Sequence, residues 1–123
     1  MKLNEYQERA MSTCMESSNN FSYMFLNLVG EVGEFASKVA KAIRKEQAAI
    51  SAFKANDLGY LERDDYADEK KAELRKEAGD ILWQLSGLCK VMGWSLEDVA
   101  QENLDKLASR KERGVIDGSG DNR

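Results

Sequence analysis

The chain has 123 residues, 42% of them hydrophobic and 33% charged, which fits one folded domain, too apolar for a disordered chain and too interspersed with charge for a transmembrane span. Its 18 basic and 22 acidic residues leave a net charge of −4, which argues against nucleic acid or a membrane surface as the main partner. Histidine and proline are both absent: the first absence removes Ser-His and Cys-His couples, His-ligated zinc and Glu-x-x-His di-iron sites, and the second suits a helical chain with few forced turns.

Leu3, Tyr6, Ala10 and Cys14 recur at helical spacing, so a first helix is predicted over residues 3 to about 16, followed by a turn at Ser17-Ser18-Asn19-Asn20. From Phe21 the apolar positions run Phe21, Phe25, Leu28, Val32, Phe35, Val39, Ala42, a 4-3-4-3-4-3 spacing that marks one face of a long helix reaching at least Lys45. Residues 46–65 either prolong that helix or form a connection. A third helix is expected from about Tyr66 to Met92, with Leu74, Ala78, Ile81, Leu85, Leu88 and Met92 on its apolar face and Gly93 as its stop. Ser95, followed three residues later by Asp98, has the form of an N-terminal cap and opens a fourth helix to about Arg110. The expectation is an all-α chain, a four- to five-helix bundle-like subunit built on a long antiparallel central pair. Residues 1–113 form the single domain, and residues 114–123 a flexible Gly-rich tail. Cys14 and Cys89 each sit in an apolar helical pattern and read as reduced thiols of a cytoplasmic protein, and no export signal is visible in MKLNEYQERAMSTC.

Two helices that should be apolar and buried carry acids at i, i+3: Glu31-Val32-Gly33-Glu34 and Glu77-Ala78-Gly79-Asp80. At ~100° per residue, each pair lies roughly 80° and 140° to one side of its helix's apolar axis, in the same rotational sense. Antiparallel packing through those stripes brings all four carboxylates to one side at similar heights. Four carboxylates together repel one another unless a cation sits among them, and an all-carboxylate set suits a hard ion, Mg²⁺ first with Mn²⁺ as a substitute. Mg²⁺ held in this way completes its shell with water and substrate phosphates, so a phosphorylated substrate is expected. The plain alternative is a pair of surface clusters, in which Glu34 pairs with Lys38 four residues on.

LVGEVGEFASKVAK followed by ELRKEAGDILWQL resembles the E-x-x-E and E-x-x-D signature of MazG-like nucleoside triphosphate pyrophosphohydrolases, and WSLEDVAQENLDKLASRKERG resembles that family's C-terminal pattern. The resemblance covers residue 21 to the end. It implies helical subunits assembled as homodimers or homotetramers, Mg²⁺ on Glu31, Glu34, Glu77 and Asp80, and hydrolysis of nucleoside triphosphates to monophosphate and pyrophosphate in nucleotide-pool house-cleaning. Glu34 is the preferred general base. The N-x-x-K-x-x-x-R portion of the fourth helix implies phosphate or sugar contacts for Asn103, Lys106 and Arg110, and Arg113 continues that stripe; a solvated helix face is the other reading. Lys38 either reaches a phosphate or pairs with Glu34, and Trp83 either stacks on a base or belongs to the core. The stretch 46–65 departs from the family pattern and leaves base and sugar preference open. A non-catalytic helical interaction protein, with the oligomer as its function, is the alternative from another class.

Overall fold

The computed structural model describes residues 1–44 and 67–123. Four α-helices occupy them: α1 Leu3–Met11, α2 Phe21–Arg44, α3 Ala67–Val91 and α4 Leu96–Glu112, with a 3-10 turn at Glu16–Ser18 and no strand among the described residues. The all-α expectation holds, and the stretch 46–65 lies outside the described residues. No described helix is long and apolar enough to cross a membrane.

Helix ends follow from side-chain chemistry. α1 stops at Met11, short of the expected residue 16, because Ser12 and Thr13 turn their hydroxyls back onto Arg9 O and Ala10 O at 2.6 Å each, a local bond that competes with the helical ladder. Asn20 Oδ1 accepts from the Tyr23 amide at 2.9 Å and so opens α2. Gly93 ends α3 as expected: at φ 75° it lets the Trp94 amide reach Cys89 O at 2.7 Å and its own amide reach Lys90 O at 3.0 Å, the paired bonds of a left-handed helix stop. Gly114 ends α4 in the same way.

The start of α4 is closed from two directions. Ser95 Oγ accepts from the Asp98 amide at 3.2 Å, as its spacing predicts. Across the fold, Asn4 Oδ1 of α1 accepts from Ser95 Oγ at 2.6 Å and from the Glu97 amide at 3.2 Å, and Gln7 Oε1 accepts from the Leu96 amide at 3.0 Å. Free amides of a first turn are thus satisfied by another helix.

α2 and α3 run antiparallel, with Met24 lying on Gly87 at one end of the contact and Lys38 on Glu77 toward the other. The two helices were expected to meet through their apolar axes. Instead, the side of α2 facing α3 carries Met24, Glu31, Lys38 and Ala42, and is rotated roughly 60° from the apolar axis toward the acids. On α3 the buried positions are Glu77, Gln84, Ser86, Gly87 and Cys89, mostly polar or small. Phe21, Phe25, Leu26, Val29 and Val32 therefore stay exposed along α2, Leu26 at 67% and Val29 at 60%. The seam is nevertheless close: a Cβ on Gly87 would collide with the Met24 sulfur and come within 2.6 Å of its Cε. α1 lies along an adjoining flank of α3, where the Trp83 indole N–H donates to Ala10 O at 3.1 Å and Thr13 Oγ1 at 3.0 Å, and Gln7 Nε2 donates to Ser86 O at 3.2 Å.

Met24 is fully buried, so its side chain must shift within the seam to admit a larger residue at position 87. Gly87→Val is expected to lower stability by about 1–3 kcal/mol, the usual cost of overpacking, read as a fall of several degrees in Tm. An unchanged Tm would show that the α2–α3 seam has room to spare.

Candidate functional site

The rotated seam turns the acidic flanks of both helices toward each other. One oxygen from each of Glu31, Glu34 and Glu77 lies within 4.8 Å of the other two. Glu77 is 8% exposed; its Oε1 accepts from Lys38 Nζ at 2.7 Å, while its Oε2 has no hydrogen-bond partner among the described residues. Asp80 follows one turn later on α3, exposed, outside the group of three but close enough for its charge to act on Glu31 and on Tyr6 of α1. Three of the four expected carboxylates thus meet, and the fourth stands within electrostatic reach.

The electrostatics are those of crowded anions. Burial pushes the Glu31 carboxyl up from its ordinary value, and the charges of Glu34, Asp80 and Glu77 push it further, against a weaker opposing hydrogen bond from Asn27 at 3.4 Å. The hydrogen bond to Glu77 raises the Lys38 ammonium in turn. One cation therefore stabilises one side of a cluster that keeps an orphaned buried oxygen on the other. An oxygen-only donor set with excess negative charge and an unpartnered buried oxygen fits a hard divalent cation.

Lys38 has a definite place: it bridges from α2 to Glu77 on α3, and Glu34 four residues before it is not its ion-pair partner. Trp83 spends its indole N–H on α1, which places it in the scaffold between helices. On α4, Asn103 is exposed, while Lys106 and Arg110 converge on the Asp121 carboxylate of residues 114–123, and Arg113 donates to the main-chain oxygen of Arg123 at 2.7 Å. None of these α4 cations pairs with the Glu31, Glu34 and Glu77 cluster among the described residues.

Two neighbours of the acidic cluster, Asn27 and Tyr6, and one partner of the α4 cations, Asp121, were not singled out as functional from the sequence. Asn27 stands four residues before Glu31, a helical spacing that announces such a bond. Tyr6 comes from a helix whose docking no local pattern reveals. Asp121 lies in a Gly-rich run without a period.

The family model described as the MazG nucleotide pyrophosphohydrolase domain matches residues 19–115, which takes in α2, α3, α4 and all four acids. The Gene 37 protein of Mycobacterium phage L5 is 36% identical over 130 residues, with all of both chains covered. No solved structure matches the chain at a significant level. The chain belongs to the MazG nucleotide pyrophosphohydrolase domain family.

Proposed function

We propose that the chain hydrolyses nucleoside triphosphates, ribo- or deoxyribo-, to monophosphate and pyrophosphate, in the service of nucleotide-pool house-cleaning. The observation that carries this reading is the convergence of Glu31, Glu34 and Glu77 beside Lys38, with Asp80 one turn away. Glu31, Glu34, Glu77 and Asp80 would hold Mg²⁺, or Mn²⁺ in its place. The bound ion would offset phosphate charge and make a bound water easier to deprotonate.

The chain's own groups divide the remaining work. Glu34 is the most exposed of the three converging carboxylates and takes the proton of the attacking water. The water oxygen bonds to the α-phosphorus, and the bond from that phosphorus to the oxygen bridging the β-phosphate breaks, releasing pyrophosphate. Lys38, already held by Glu77, offers a point charge to phosphate oxygens at the edge of the cluster. Asn103, Lys106, Arg110 and Arg113 supply phosphate or sugar contacts from α4. No imidazole is needed for any of these steps.

A second copy of the chain is part of the proposal. The exposed stripe of Phe21, Phe25, Leu26, Val29 and Val32 is a contiguous apolar face on one helix, and such faces mark contact surfaces. A homodimer or homotetramer that covers it is expected by sedimentation, and Val29→Asp is expected to shift the population to monomer; a monomeric parent would refute this part.

The defining assay incubates the protein with Mg²⁺ and a panel of nucleoside triphosphates and resolves monophosphate, pyrophosphate and phosphate. Monophosphate and pyrophosphate are expected in equal amounts, with a loss of at least about 100-fold in Glu34→Gln, in keeping with the size of a general-base effect, and a loss of activity in Asp80→Asn through weakened metal binding. Inorganic phosphate as the direct product would point to a phosphatase, and no cleavage of any nucleotide would favour the interaction-protein reading.

Stability supplies an independent check. Folding raises the Glu31 pKa, so its ionised form costs stability; the cost is absent below the ordinary value of 4.5 and grows as pH climbs through the folded-state value. At neutral pH without metal, Glu31→Gln is expected to raise Tm. With Mg²⁺ the parent gains stability through binding and Glu31→Gln loses that gain. A parent Tm indifferent to Mg²⁺ would count against the metal site.

A further inference from the structure

Residues 114–123 lie against α4 through a concentrated set of bonds. Arg110, 5% exposed, donates from Nη2 to Asp121 Oδ1 at 3.1 Å and to the main-chain oxygens of Gly120 and Asp121 at 3.4 Å each. Lys106 Nζ, one turn earlier on α4, reaches the same Asp121 Oδ1 at 3.4 Å. Arg123 closes the fold-back on itself, donating to Val115 O at 3.1 Å, Gly120 O at 2.6 Å and Ile116 O at 3.4 Å.

One carboxylate oxygen is thus held by an ammonium and a guanidinium together, the donor pair that suits a phosphate oxygen. The Asp121 side chain is 85% exposed, so it sits on the solvent side of these cations and can leave without disturbing the packing beneath. Arg110 Nε is buried with no hydrogen-bond partner among the described residues, so the guanidinium has donor capacity that the tail does not use. Asp121 also lies beyond residue 115, where the family match ends. The two cations lie within the family match and the anion upon them lies outside it.

We propose that Asp121 is an internal competitor for the phosphate groups of the substrate, a latch that occupies Lys106 and Arg110 and must be displaced before they can grip a polyphosphate. This rests on the reading of those two side chains as phosphate contacts. The carboxylate is tethered 11 residues from Arg110, and a short tether gives it an effective concentration of about millimolar order. A free anion meets a site that is open only part of the time, and its apparent affinity falls by that fraction. The bonds from Arg110 to tail carbonyl oxygens remain when Asp121 loses its charge. Asp121→Asn therefore removes the competing charge and leaves the fold-back in place.

The test measures inorganic tripolyphosphate binding by calorimetry, with Mg²⁺ present, on the full chain, Asp121→Asn and Lys106→Met, together with hydrogen exchange of the amides of residues 118–123. Asp121→Asn is expected to tighten binding by about threefold to tenfold, as loss of one tethered competing charge implies, and Lys106→Met to weaken it. The amides of residues 118–123 should exchange faster once the anion is bound. Unchanged or weaker binding in Asp121→Asn, slower tail exchange on binding, or no binding to any of the three proteins would each overturn the latch. Hydrolysis of nucleoside triphosphates by the same preparations separates the two readings. Turnover with an affinity indifferent to Asp121→Asn removes the latch and keeps the activity, whereas tightened binding without turnover removes the activity and keeps the latch.

Discussion

Glu77 is a carboxylate buried between two helices in a chain of 123 residues, and a charge taken out of water costs several kcal/mol unless its surroundings compensate it. Lys38 compensates one oxygen and nothing among the described residues compensates the other. The central pair is arranged around this demand. α2 and α3 meet on the flank that carries the acids, with Met24 lying on Gly87 and Lys38 reaching across to Glu77. A seam through the two apolar axes would have removed more hydrocarbon from water, but it would have left Glu77 and Glu31 further round toward solvent.

The choice of flank has costs elsewhere. Gln84 and Ser86 are buried in α3 with side-chain oxygens that lack partners among the described residues, although Ser86 also offers its main-chain oxygen to Gln7. The apolar residues that the seam does not use remain outward on α2. A single copy is thus poorly covered where it is apolar and tightly packed where it is polar, the reverse of the usual distribution in small domains. The proposed site and the proposed self-association would both follow from this one packing arrangement.

Much of this was legible in the residues. The 4-3-4-3-4-3 run from Phe21 to Ala42 placed the start of α2 and its course through the described residues, while its expected reach to Lys45 lies outside them; Ser95 and Gly93 marked the boundaries at which they act, and the paired i, i+3 acids led to the cluster. Periodicity locates an apolar axis but does not say which flank a neighbour covers when one stripe has more to bury than one partner can take. The rotation of the seam was therefore out of reach, and with it Lys38's choice of Glu77 over Glu34. Trp83 admitted both a base and a core, and its indole N–H acceptors, Ala10 O in α1 and Thr13 Oγ1 just beyond it, come from a docking that no local pattern shows. The tail offered no period at all, so the convergence of Lys106 and Arg110 on Asp121 could be seen only in three dimensions.

The closure of α4 by α1 has a bearing on how the chain is made. Asn4 and Gln7 find their partners 79 to 93 residues further along, at Ser86, Trp94 and the first turn of α4. During synthesis α1 emerges well before the groups it docks on, because those acceptors and donors lie 79 to 93 residues later in the chain. Contacts of such sequence separation form late and slowly compared with helical turns. Until then an isolated nine-residue α1 is too short to hold its helix in water, so its order waits on the first turn of α4.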